Sequence, residues 1–231
     1  MKNVTSETPI GEIVRAMPAS ARIFEKLHID YCCGGKKSLA EVCNTRALDS
    51  ATVIAMLSAI DTAPNGFQRD PDAMTLSELC DHIQETHHAY LQEELPRLDF
   101  LTRKVAAVHG AHEPRLLVLR QVFEGFNAEM TSHTEEENQT VFPAIRKLET
   151  GKHSTPANVR TICKKLEHEH DHAGAALELF NQLTDGYNPP DWACNTFRAL
   201  YDSLAHLEKD MHQHVHKENN VLFPKAIAAA A

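Results

Sequence analysis

The 231-residue sequence predicts an all-α fold: an up-down-up-down four-helix bundle with a small N-terminal helical domain. Three observations carry that expectation. Only 9 residues are glycine and 6% are aromatic, and no stretch sustains the period-two alternation of a half-buried strand. Apolar residues instead recur at spacings of three and four along several long segments. A motif of helical character also occurs twice, with His133 and His214 as its first residues.

The first sixty or so residues read as short helices over about 9–17, 20–28, 37–44 and 49–62. Pro9, Pro18, the turn-like Cys33-Gly34-Gly35 and Asp49-Ser50 punctuate them. Two prolines and an Asn-Gly lie between Thr62 and Asp72, which is the composition of a linker. A small domain over 1–62, a linker over 63–74 and a bundle over 75–231 are therefore expected. Four long amphipathic segments follow, over about 75–108, 114–150, 156–185 and 190–226. Pro114 and Pro156 each stand where a first helical residue belongs, and Asn188-Pro-Pro-Asp191 separates the third segment from the fourth. Connections this short favour antiparallel neighbours.

Composition narrows the function. A formal net charge of -9 argues against a general nucleic-acid binder, whose affinity rests on neutralising phosphates with Lys and Arg. No apolar run approaches the roughly 20 residues that span a bilayer, so no membrane role is expected. The opening MKNVTSETPIGEIVRAMP lacks an uninterrupted apolar signal core and predicts a cytoplasmic chain. Six cysteines in a chain of this length are too sparse for a disulfide scaffold. The histidine count stands out: 15 residues, all but one at or beyond position 82.

The duplicated motif gives these histidines a pattern. His133-x-x-x-Glu137-x-x-x-x-Phe142-Pro143 recurs as His214-x-x-x-Glu218-x-x-x-x-Phe223-Pro224, every residue offset by 81 positions. Two pseudo-repeated helical hairpins follow, presenting the same chemistry from opposite sides of a bundle. Residues four apart share a helix face. On the fourth segment Leu200, Leu204, Leu207, Met211, His214, Glu218 and Val221 form one stripe; on the second, Leu119, Phe126, Met130, His133 and Glu137 do. A glutamate in a bundle core without a partner costs several kcal/mol, of order the penalty for an unpaired buried charge. Two of them, each one turn from a core histidine, call for a shared cation.

On the third segment Val159, Cys163, Leu166, His170, Ala173, Leu177 and Phe180 form the stripe, which selects His170 and turns His168 and His172 to the opposite face. On the first, His87 continues Leu79 and Ile83, whereas His88 leads to Leu91, Leu95 and Leu98. The repeat register, 82 positions before His170, favours His88 and keeps His87 as the alternative. Imidazoles with carboxylates suit iron or manganese, with zinc a further option, and require no thiolate. Two carboxylates are natural bridges between two ions. With two histidines per ion and an oxo or hydroxo bridge, each ion has five ligands and, if octahedral, one open position. The other histidines, including 82, 109, 112, 153, 168, 172, 212 and 216, read as surface residues.

With these motifs in place, residues 75–226 resemble a hemerythrin-like di-iron bundle. The whole chain, with Tyr31-Cys32-Cys33-Gly34-Gly35, is similar to the Repair of Iron Centres family of iron–sulfur cluster repair proteins. The resemblance implies metal ligands at His88, His133, His170 and His214 with Glu137 and Glu218 bridging two non-haem irons, and it makes His109 a matching non-ligand histidine. Oxygen-carrying hemerythrins use five histidines, an aspartate and a glutamate, so the set here argues against simple oxygen storage. The implied function is repair of clusters damaged by nitric oxide or oxidants, with iron supplied from the di-iron centre and damaged iron–sulfur proteins as partners. Two alternatives stand beside it: a nitric-oxide binding or scavenging protein with possible nitric-oxide reduction, and an iron- or oxygen-sensing regulator. A monomer or homodimer is expected, with nitric oxide or dioxygen as the small ligand.

Cys32 and Cys33 are the second candidate site. A short helix follows them and Lys36 and Lys37 stand close by, a setting that lowers a thiol pKa and favours transfer or redox work. Adjacent cysteines rarely form a comfortable disulfide. Cys43, Cys80, Cys163 and Cys194 fall in helical patterns and read as packing residues.

Overall fold

The computed structural model describes residues 4–59, 71–149, 151 and 156–230. Residues 63–70 of the expected linker and His153 lie outside them. Among the described residues there is no strand, only an isolated bridge between Pro9 and Ser38. Four short helices come first: α1 (Ile10–Ala16), α2 (Ala21–Lys26), α3 (Leu39–Thr45) and α4 (Ser50–Ser58). Their starts follow from side-chain chemistry. Ser38 and Glu41 close a reciprocal capping box on α3, and Asp49 accepts from the Thr52 amide at the head of α4.

Four long helices follow: α5 (76–109), α6 (115–149), α7 (Pro156–Leu183) and α8 (195–229). Each of α5, α6 and α8 is interrupted by one π turn, over Gln84–His88, Glu137–Val141 and Glu218–Leu222 respectively. Two of these turns have a cause in the sequence. Pro143 and Pro224 have no N–H for an i→i−4 bond, and their rings clash with the carbonyl four residues back. The chain widens ahead of each proline: Phe142 donates to the Glu137 carbonyl and Phe223 to that of Glu218. The Phe-Pro motif thus makes each of these glutamates the first residue of a π turn. The fourth helix begins at Asn195, later than expected, because residues 190–193 are held as a loop. There the Arg198 guanidinium donates to the carbonyls of Pro190, Asp191 and Ala193.

Two apolar clusters fill the bundle. One contains Leu91, Leu95, Phe123, Phe126, Met130, Leu177, Phe180, Leu204 and Met211; the other contains Leu79, Ile83, Val141, Phe142, Leu166, Val221 and Phe223. Each of the four long helices passes from one cluster to the other at the level of His88, His133, His170 or His214. These polar residues form a layer between two greasy ends.

The short helices pack around their own core of Ile10, Ile13, Phe24, Ile29, Tyr31, Leu39 and Leu57. This layer docks on α7 and α8. Asn220 fits between Gly11 and Gly35 so closely that a Cβ on either glycine would lie 2.5 or 2.8 Å from its Oδ1. The Tyr31 ring is fully buried edge-on against His212 and His216, and its hydroxyl donates to Glu25 at 3.1 Å. His216 is buried and His212 half-buried, contrary to the surface positions expected for them, because a layer invisible to helix periodicity covers them. His168 and His172 are exposed, as the stripe requires.

Candidate metal centre

The six residues expected to hold metal converge in the polar layer. His88, Glu137, His214 and Glu218 each offer a ligand atom, and these atoms lie within 4.8 Å of one another. His133, Glu137, His170 and Glu218 form a second such group, so both glutamates belong to both. All six residues are buried. A metal ion with donors at about 2.1 Å sets those donors at most about 4.2 Å apart, close to this spacing.

Within each group the imidazoles meet through their Nε2 atoms, His88 with His214 at 3.1 Å and His170 with His133 at 3.0 Å. What the Nδ1 atoms do fixes what Nε2 can be. Arg146 can only donate, and its Nη2 lies 2.6 Å from Gln84 Oε1. The Gln84 amide nitrogen therefore donates to Asn138 Oδ1 at 2.7 Å, which leaves His88 Nδ1, also at 2.7 Å from that oxygen, as a donor. Neutral His88 then carries its lone pair on Nε2, toward the centre. His133 Nδ1 meets Glu169 Oε2 at 2.7 Å, and His170 Nδ1 meets Asn219 Oδ1 at 2.8 Å. Facing Nε2 atoms must share either a proton or a metal ion.

The carboxylates favour the metal ion. Both Glu137 oxygens and Oε2 of Glu218 are buried with no hydrogen bond among the described residues, although His88 and His133 Nε2 approach Glu137 Oε2 to 3.3 Å and His170 Nε2 approaches Glu218 Oε2 to 3.2 Å. Orphaned buried carboxylate oxygens are costly and call for a cation. Burial raises the Glu218 carboxyl, yet His214 and His170 outweigh it and hold the group well below the usual carboxylate range. Burial likewise opposes charge on His133, but Glu137 and Glu218 overcome it and lift the ring to about 10. The residues fit a metal: an ionised carboxylate pair enclosed by imidazoles, with protons in the cation's place when it is absent.

His87, the alternative to His88, lies outside both groups. Its ring stacks on that of His214 at 5.2 Å, its Nδ1 is 2.8 Å from Asp210, and its Nε2 accepts from Lys217 at 2.7 Å. Burial pushes His87 down to about 4 and Lys217 down to about 8. His109 is roughly 30 Å along α5 from His88 at 1.5 Å per residue, too far to serve the centre. It meets Cys194 Sγ at 3.3 Å beside Trp192 and Phe197. Cys194 itself is exposed, unlike the buried Cys43, Cys80 and Cys163.

Cys32 and Cys33 reach the bundle but belong to neither of these two groups; with Asp30 they form a third close cluster of potential donors. Asp30 Oδ1 accepts from the amides of both cysteines and from Cys32 Sγ at 2.8 Å, while Cys33 Sγ donates to the His170 carbonyl at 3.1 Å. The lowered thiol pKa expected from Lys36 fails for Cys32. Burial and the neighbouring Cys33 push that thiol well above its ordinary value, and the Lys36 ammonium pairs instead with Glu167 at 2.9 Å.

Sequence reasoning missed Asn138, Asn219, Glu169, Gln84 and Arg146. Asn138 and Asn219 had a signal, since each directly follows a motif glutamate at the same 81-residue offset. Glu169 had none, because it serves His133 across the bundle while adjacent in sequence to His170. A groove of about 750 Å³ between α5 and α6 reaches this layer at Gln84, His88 and Asn138.

A four-helix bundle whose buried middle layer carries four imidazoles and two shared carboxylates defines a helical metal-binding protein. Residues 80–226 match the hemerythrin HHE cation binding domain, and residues 6–61 match ScdA_N, a domain of unknown function. The sequence is 34% identical to the iron–sulfur cluster repair protein ScdA of Staphylococcus epidermidis over 96% of this chain and 99% of that protein. It is 36% identical to ScdA of Staphylococcus haemolyticus over 96% and 99%, and 34% identical to the iron–sulfur cluster repair protein YtfE of Escherichia coli O157:H7 over 96% and 97%. The chain belongs to this ScdA/YtfE family of hemerythrin-type proteins. Among the described residues no helix is long and apolar enough to cross a membrane.

Proposed function

We propose that the chain repairs damaged iron–sulfur clusters by supplying iron held between Glu137 and Glu218. The observation that carries this reading is the pair of donor groups sharing both carboxylates. It supports two ions, one with His88 and His214, the other with His133 and His170. Imidazole and carboxylate donors suit iron, and an iron pair supplies redox and small-ligand chemistry when bound. Nitrogen and oxygen donors hold ferrous iron less firmly than a cage of thiolates, as a donor of iron requires. Two relatives of nearly the same length carry the repair function in their names.

The protein's own groups do the positioning. Asn138, Asn219 and Glu169 orient three rings, and the apolar clusters above and below exclude water. Cys33 is the half-buried thiol of the vicinal pair and the one an acceptor reaches, whereas buried Cys32 anchors the turn to Asp30. The cysteines are free, in keeping with a cytoplasmic site of action. A nitric-oxide binding role is the second reading, favoured by the groove that opens at His88.

The test is transfer. Full-length protein loaded with ferrous iron should rebuild the cluster of an apo iron–sulfur acceptor, and Glu218→Ala, which removes a donor from both groups, should abolish loading and transfer together. Loading of two irons without any transfer to the acceptor, but with consumption of nitric oxide, would favour the second reading.

A further inference from the structure

The pseudo-repeat gives both metal positions the same donors, two imidazoles and both carboxylates. What stands behind the imidazoles differs. His133 Nδ1 is backed by the Glu169 carboxylate at 2.7 Å, which Lys165 steadies from 3.4 Å, and His170 Nδ1 by the Asn219 amide. On the other side His88 has only an amide, Asn138, and His214 Nδ1 has no hydrogen-bond partner among the described residues. A carboxylate accepting the Nδ1 proton feeds charge into the ring and makes Nε2 the stronger donor; an amide does less, and no partner does least.

Access points the same way. The groove between α5 and α6 is lined by His88 and by its Asn138 partner, and by none of His133, His170 or Glu169. The His170 side lies under the N-terminal layer, where Cys33 Sγ caps the His170 carbonyl and packs on Gly174. Weaker donors and an open approach coincide at one position; stronger donors and a covered approach coincide at the other.

We infer that the two positions differ in role: the His88/His214 position is the exchangeable one, loaded last and emptied first through the α5–α6 groove, and the His133/His170 position is the retained one. The inference rests on the two-ion reading above and names which ion is cargo. Release involves no change of oxidation state. Ferrous iron exchanges its imidazole and carboxylate donors for those of the acceptor, and protons from solvent take its place on the protein.

The experiment follows anaerobic release from full-length protein carrying two ferrous ions to an excess of a coloured ferrous chelator. Two phases of one iron each are expected. Asn138→Asp places a carboxylate behind His88 and should slow the fast phase alone; Glu169→Gln removes the carboxylate behind His133 and should speed the slow phase alone, each by about 10–100-fold. Both changes are nearly isosteric, and circular dichroism verifies the fold. Two irons leaving in one phase, or each variant acting on the opposite phase, overturns the assignment and leaves the two-ion reading standing. A loading of fewer than two irons in the parent protein overturns both.

Discussion

Cys33 Sγ donates to the main-chain carbonyl of His170 at 3.1 Å, so one hydrogen bond joins the vicinal cysteine turn to the backbone of an imidazole in the metal layer. Cys32, one residue away, is buried against Asp30 instead. The two thiols therefore differ in reactivity. Alkylation at neutral pH should modify exposed Cys194 first, Cys33 more slowly, and Cys32, Cys43, Cys80 and Cys163 only on unfolding, with peptide mass analysis as the measurement. Rapid modification of Cys32 would contradict the burial that raises its pKa.

Gly11 lies on α1, where alanine ordinarily stabilises a helix by about 1 kcal/mol. Here a Cβ would meet Asn220 Oδ1 at 2.5 Å and the Gly35 carbonyl at 3.0 Å. Overpacking of this kind costs about 1–3 kcal/mol, with two close contacts toward the upper end, so Gly11→Ala should be net destabilising in thermal or denaturant unfolding. Adding Asn220→Ala removes the closer contact and should recover part of the loss.

Arg146 is partly exposed and hydrogen-bonds to Asp81 and Gln84, not to a ligand imidazole, yet it sets the direction of the Gln84–Asn138–His88 chain. Arg146→Met frees the Gln84 amide to turn and His88 to carry its proton on Nε2. Iron affinity should fall by about 10–100-fold, the usual effect of losing an outer partner of a ligand histidine, with global stability little changed. Arg146→Lys, still an obligate donor, should restore part of the affinity; competition against a chelator reads both.

The pH dependence follows from His133, lifted to about 10 in the metal-free protein once Glu137 and Glu218 outweigh its burial. Below that value the free protein holds a proton that iron must displace. Affinity should therefore rise with pH between about pH 6 and pH 8, about tenfold per unit for each proton displaced. The same proton stabilises the metal-free fold: its contribution is complete below the unfolded imidazole value of about 6.5 and is lost as pH rises through about 10. Titrations in buffers of different ionisation enthalpy count the protons released.

The six residues that meet in the polar layer were legible because a glutamate inside an apolar stripe is rarely tolerated without a cation, and the motif occurs twice. Helix periodicity chose His170 over His168 and His172, and His214 over its neighbours. It could not decide between His87 and His88, because the π turn over Gln84–His88 breaks the regular phase and both side chains are buried. The partners behind the rings were less visible. Asn138 and Asn219 repeat with the motif but look like ordinary surface amides, and Glu169 acts on a histidine from another helix. Burial of Cys32, His212 and His216 depends on how the short helices dock, which no local pattern encodes. Lys36 lay near the cysteines in sequence and turned to Glu167 in space.

The polar layer separates the bundle into two apolar ends that do not share a core. A cation held there would work as a rivet across the waist, where a protonated imidazole otherwise faces the two carboxylates. On the proposed function, giving up an ion would remove a cross-link from this waist while the two apolar ends stay packed. The α8 π turn passes through that waist and carries both Glu218 and the Asn220 wedge. The covering layer is thus anchored to the same strip of backbone that holds one of the two shared carboxylates.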